Sequence, residues 1–115
     1  MIDIRKLLLM IQEQKQMNAN LSLEFDCIVE NEDPKPLVKV INYIINYLNS
    51  FTQNVIEISL NAYREGYMLS FAVFTEQTEL PEFSDKIEEI LQTYNATLKK
   101  THDKGKYFQI IITFA

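Results

Sequence analysis

The sequence predicts an α+β sandwich, in which one mixed, mostly antiparallel sheet carries its helices on one face in the order αβαββαββ. Three observations predict it. Apolar residues recur at helical spacing in three separate stretches. Between them lie β-rich runs, the first alternating apolar and polar side chains with the period of two that marks a strand with one buried face. The only two glycines, Gly66 and Gly105, each fall between two such runs, where a tight hairpin needs backbone freedom. An antiparallel-dominated sheet with helices gathered on one face is the natural way to bury apolar surface in that order. A length of 115 residues, 47% apolar and 23% charged, without a low-complexity stretch, predicts one domain over 1–115 with a single core.

Each element has its own signal. Ile4, Leu7, Leu8 and Ile11 predict a helix over about 3–16, with Asp3 placed to cap it. Leu21, Leu23, Phe25, Cys27 and Val29 alternate with polar partners and predict a strand over 21–29, which "ENEDPKP" ends. Leu37, Val40, Ile41, Ile44, Ile45, Leu48 and Phe51 form the stripe of a long helix, with Tyr47 flanking it and Tyr43 just beyond. Asn42, Asn46 and Asn49 fall on the opposite side and are expected to face solvent. Two runs over 55–63 and 67–75, joined by "REG", predict an antiparallel hairpin. "PEFSDKIEEILQTY" then places Phe83, Ile87, Ile90, Leu91 and Tyr94 on one helical stripe behind Pro81. A second hairpin, with strands over 96–102 and 107–114, turns at Gly105.

Charge and cysteine usage narrow the function classes. A net charge of −5 opposes binding to nucleic-acid phosphates or anionic lipid. The one basic cluster, Lys99, Lys100, His102, Lys104 and Lys106, spans a turn and reads as a solvated hairpin. Cys27 stands alone, which excludes an intrachain disulfide and fits a reducing compartment. No apolar run approaches the ~20 residues that span a bilayer, and the first residues lack the small-residue cleavage site of a signal peptide. A cytoplasmic protein is expected, with no nucleic-acid or membrane partner.

The order of elements is compatible with two architectures, the ferredoxin-like βαββαβ core with additions and the Bergerat fold of histidine kinases and related ATPases. The residues favour the second. "IDIRKLLLMI" resembles the helix that opens the ATP-binding domain of histidine kinases. "ANLSLEFDCIVENEDPKPLVKVINYIINYLNSFT" is similar to their first strand and asparagine-bearing helix, and "FSDKIEEILQTYNATLKKTHDKGKYFQIIITF" to their last helix and closing hairpin. The resemblance implies ATP binding through a helix asparagine that helps hold magnesium, an aspartate and spaced glycines that read adenine, and a glycine-rich lid.

Those motifs are not matched. Aligning the family's helix without a gap, with Ser50, Phe51 and Thr52 at its end, puts Tyr43 and Tyr47 on the two asparagine positions, so both tyrosines are candidate residues of a remnant cleft. Phe74, Thr75, Glu76, Gln77 and Thr78 stand where the aspartate and glycines would be, and no glycine occurs from Tyr67 to Lys104. A phosphate cradle needs backbone at positive φ, which other residues adopt at about 1–2 kcal/mol each. The sequence therefore predicts no enzyme, no catalytic residue, no metal and no cofactor. His102 has no second histidine or cysteine near it and reads as an exposed turn residue, Cys27 as an inert buried thiol, and Glu76, Glu79 and Glu82 as solvated. What remains is a degenerate histidine-kinase-like module that binds protein as an adaptor or regulator in bacterial signalling. A divergent ATP-binding domain and a ferredoxin-like small-ligand module are the alternatives. Ile2 and Leu9, seven residues apart and opposite the buried stripe of the first helix, form the candidate interface for a partner helix or a homodimer.

Overall fold

The computed structural model describes residues 1–115. Its elements are β1 (Ile2–Asp3), α1 (Ile4–Lys15), β2 (Ala19–Leu23), β3 (Ile28–Val29), α2 (Lys35–Asn49), β4 (Ile56–Tyr63), β5 (Gly66–Phe74), α3 (Lys86–Gln92), β6 (Ala96–Asp103) and β7 (Tyr107–Phe114). Five strands form one sheet in the order β2-β4-β5-β7-β6, and β1 with β3 forms a separate two-stranded ribbon. β2 runs parallel to β4, and every other pairing is antiparallel. This is the expected α+β sandwich. It is not the ferredoxin-like alternative: a split βαβ unit holds another strand between the two that flank the helix, whereas β2 and β4, which flank α2, are direct neighbours.

Strand alternation sets the layers. On one face Ile56, Ile58, Leu60, Leu69, Phe71, Val73, Phe108, Ile110, Ile112 and Phe114 are buried. They share one core with Ile4, Leu8 and Ile11 of α1, the stripe of α2, and Ile87 and Leu91 of α3. The other face carries no helix and shows residues such as Glu57, Asn61 and Met68 to solvent. α1 starts where Asp3 accepts the Lys6 N–H at 3.2 Å, and ends at Gln16 in a left-handed conformation whose N–H reaches the Gln12 carbonyl. α2 opens with Pro36 in its first turn, where a missing N–H leaves nothing unsatisfied. Tyr94 joins the α3–β6 connection to that start: its hydroxyl accepts from the Leu37 N–H at 3.1 Å and donates to the Asp33 carbonyl at 2.7 Å.

Two elements differ from expectation. The strand expected over 21–29 is two pieces, because Asp26 takes a left-handed backbone (φ 62°) and turns the chain, leaving Phe25 out of the core. The last helix is shorter than its apolar stripe. Residues 81–85 precede it in an irregular conformation, and Phe83 packs from there instead of from a helix.

Candidate functional site

Between the end of β5 and the start of α3, residues 75–85 form a strap laid across the C-terminal half of α2. Side chains of α2 and β6 hold it. The Tyr47 hydroxyl donates to the Pro81 carbonyl at 2.6 Å, and the Tyr43 hydroxyl accepts the Ser84 N–H at 2.9 Å. Between these two bonds Phe83 sets its ring edge-on to both tyrosines, 5.2 Å from Tyr43 and 5.0 Å from Tyr47. This geometry follows from helix periodicity: residues four apart share a face, so one aromatic from the strap can meet both. Lys100 of β6 closes the outer side with its ammonium 4.8 Å from the Phe83 ring centre.

The near end of the strap is fixed by amides and a histidine. Gln77 donates its side-chain N–H to the Phe51 carbonyl at 2.9 Å, and the Gln77 carbonyl lies 3.1 Å from His102 Nε2. The His102 ring stands edge-on to Phe108, which itself neighbours Tyr47 and Phe51. Phe51, Tyr47, Phe83, Phe108 and Tyr43 thus make a continuous aromatic cluster beneath the strap. Tyr47 is its buried centre, and burial, with a smaller contribution from Tyr43, pushes the Tyr47 phenol above its ordinary range. Beside the cluster an open polar cavity of about 610 Å³ lies between the end of α2, the start of the strap and the β6–β7 turn. Several of its polar side chains bond to nearby backbone groups. Asn54 donates to the Phe74 carbonyl at 2.7 Å, and Thr75 accepts the Gln77 N–H at 3.2 Å. No group of three or more acidic, histidine or cysteine residues is arranged to hold a metal ion.

The structure brings Tyr43 and Tyr47 together, their rings 6.4 Å apart, at the edge of the core and against the strap. Three expectations need correction. Ile2 is not on the outer face of the first helix: it lies in β1, paired with Val29, and is 4% exposed, while Leu9 alone remains outside at 39%. The helix begins two residues after Ile2, so helical spacing never applied to it. His102 is not a turn residue but a half-buried member of β6 bonded to the strap, since the turn comes later, around Gly105. Asn42 does not face solvent freely. Asn46 and Asn49 are exposed, with Asn46 accepting from Lys15 at 3.4 Å, but Asn42 is half-buried and its Oδ1 has no partner. Sequence reasoning does not identify Pro81 and Ser84 as partners of the tyrosines, Gln77 as a partner of Phe51 and His102, or Lys100 as a partner of Phe83. The available signal was the glycine-free segment over 75–85 with Phe83 within reach of an i, i+4 tyrosine pair.

No family model and no curated protein matches the sequence. Solved structures do match the fold. The chain superposes on the Acinetobacter baumannii histidine kinase AdeS with a TM-score of 0.75 at 12% identity, over 99% of this chain and 65% of that one. It superposes on the histidine kinase domain of the Escherichia coli osmosensor EnvZ with a TM-score of 0.78 at 9% identity, over 98% of this chain and 86% of that one. For the cytoplasmic segment of the histidine kinase QseC the TM-score is 0.70 at 14% identity, over 99% and 76% of the two chains. The fold is therefore that of histidine kinase ATPase-type domains. The expectation that the chain is no enzyme does not stand against this finding, because AdeS, EnvZ and QseC are histidine kinases, which are enzymes. No helix is long and apolar enough to cross a membrane.

Proposed function

We propose that the chain is a cytoplasmic signalling module of the histidine-kinase type, degenerate in its nucleotide groove, that acts as a regulator by binding a protein partner. One observation carries this reading. Phe83 packs edge-on against Tyr43 and Tyr47, the two residues that the family resemblance puts on the asparagine positions, and the two tyrosine hydroxyls bond the strap on either side of that ring. No glycine in the strap offers the backbone conformations of a phosphate loop. Calorimetric titration with ATP and magnesium tests the reading, and the expected result is no binding heat. Micromolar affinity overturns it.

A second reading, nucleotide binding after the strap lifts, is favoured by one likeness. The fold matches full-length ShkA in complex with AMPPNP, with a TM-score of 0.67 at 13% identity. The same titration separates the two if amide hydrogen exchange is followed alongside. Under the second reading nucleotide binds and the Ser84 amide loses its protection as the Tyr43 hydroxyl lets go.

A further inference from the structure

The two edges of the five-stranded sheet are built differently. β6 carries Lys99 and Lys100, and charged residues of this kind are a common guard against strand pairing. β2 reads Ala19-Asn20-Leu21-Ser22-Leu23, with no charge and no proline. Its bonds to β4 fix which backbone groups are used. The Asn18 carbonyl accepts from the Ile56 N–H at 3.0 Å, and the Glu24 N–H donates to the Leu60 carbonyl at 2.9 Å. Alternation along a parallel ladder then commits Asn20 and Ser22 to β4 as well. The backbone N–H and C=O groups of Ala19, Leu21 and Leu23 point the other way, and no helix, loop or side chain pairs with them. Buried or half-buried backbone groups normally find partners, so a bare edge of this kind is a template for another strand.

We infer that β2 pairs antiparallel with β2 of a second copy of this chain, joining the two sheets across a two-fold axis at Leu21. The register follows from the free groups. Ala19 exchanges hydrogen bonds with Leu23 of the second copy, and Leu21 with its own counterpart. On the core side a small residue then faces a large one, and on the open side Asn20 faces Ser22 of the second copy about 4.5 Å away between Cα atoms. No like charges meet within the paired strands, which is what makes this edge compatible with itself. The β6 edge is not, because in a self-pairing its two lysines would come close to their own counterparts. A second observation fits the same occupant. Phe25 is 70% exposed just beyond β2, with only Arg5 over its ring at 4.1 Å. Continuing the register brings it alongside the half-buried Met17 of the second copy, a sulfur-aromatic contact. This inference does not depend on the strap or on any nucleotide.

Two double variants test it by sedimentation equilibrium on the full chain. In both, Asn20→Lys meets Glu57, which already bonds Asn20 within the subunit at 3.0 Å, and position 22 is exposed, so the fold is retained. Asn20→Lys with Ser22→Lys sets lysine against lysine across the proposed axis and is expected to weaken dimerisation about tenfold or more. Asn20→Lys with Ser22→Glu sets lysine against glutamate in the same register and is expected to dimerise as well as the wild type or better. A wild-type chain that stays monomeric at millimolar concentration overturns the inference. So does any pattern in which the two variants move in the same direction, or in which only the lysine-glutamate variant dissociates.

Discussion

Truncating Phe83 to alanine probes how the strap is held. A fully buried phenylalanine cut to alanine loses about 3–5 kcal/mol, and Phe83 is half-buried, so about 2 kcal/mol is expected. That figure includes two edge-on aromatic contacts, at 5.2 and 5.0 Å, of about 0.5–1.5 kcal/mol each, and part of the Lys100 contact. For a domain of this size 2 kcal/mol corresponds to a fall in Tm of roughly 6–10 °C. The loss should also be local. With the ring gone, the Tyr43 and Tyr47 hydroxyls alone hold residues 81–84, and the Ser84 amide should exchange faster than amides of β5 and β7. Thermal melting and amide exchange by mass spectrometry or NMR give both readouts. If Tm moves by less than about 2 °C and Ser84 keeps its protection, the strap is held by something other than this aromatic stack.

Three further outcomes follow from single sites. Asn42→Leu removes a half-buried amide oxygen that has no partner and supplies a better helix former, so chemical denaturation should show a gain of about 1 kcal/mol; a loss would mean that the amide is satisfied in solution. Gly66→Ala and Gly105→Ala should separate widely. A Cβ at Gly66 would meet the Phe114 carbonyl oxygen at 1.8 Å and force the end of β7 to move, a loss of about 2–4 kcal/mol, whereas at Gly105 (φ 79°) it meets nothing within 4 Å and only the left-handed backbone opposes it, at about 1 kcal/mol. Equal losses would contradict that packing. Alkaline pH should destabilise the fold. Burial raises the Tyr47 and Tyr94 phenols above their ordinary 10.0 and the Cys27 thiol above its ordinary 9.0, so the folded state keeps protons that the unfolded chain releases. This contribution is full below those ordinary values and is lost as pH rises past them. Phenolate absorbance of the buried tyrosines should appear together with unfolding, and its appearance in a chain that remains folded would refute the assignment.

Much of the fold was legible because burial repeats with a period. The α2 stripe from Leu37 to Phe51 is buried as its spacing required, and the hairpins turn next to Gly66 and around Gly105. Period alone failed where a single backbone angle intervened. Asp26 at φ 62° ended a run that alternated correctly through Val29, and nothing in that alternation marks the break. Ile2 misled for a related reason, since its apolar character was referred to a helix that starts only at Ile4. The tyrosine pair was found, but its partners were not. Pro81 and Ser84 contribute backbone atoms to the bonds with Tyr47 and Tyr43, and a backbone atom leaves no trace in residue type. His102 reads as a turn residue because it is the last position of the strand expected over 96–102, whereas β6 continues to Asp103 and keeps it in the ladder.

The rotation of α2 decides which of its polar residues the strap meets, and the core fixes that rotation. One residue along a helix is a turn of about 100°. Bringing Asn42 and Asn46 to the positions of Tyr43 and Tyr47 would therefore swing the apolar stripe by the same angle. Ile41, Ile45 and Leu48, each at most 1% exposed, would leave the core. At about 1.5–3 kcal/mol for each large aliphatic side chain taken out of the interior, three of them amount to roughly 5–9 kcal/mol, comparable with the whole stability of an ordinary domain. An amide that gains a hydrogen bond returns about 1 kcal/mol. The half-buried, unpartnered oxygen of Asn42 is consistent with this balance, because the helix leaves that oxygen unsatisfied and keeps its isoleucines buried. As long as the core is intact, α2 presents its tyrosines to the strap, while Asn46 and Asn49 stay exposed and Asn46 stays within reach of Lys15. Any ligand that enters beneath the strap will meet two phenols and Phe83 before it meets an amide of α2.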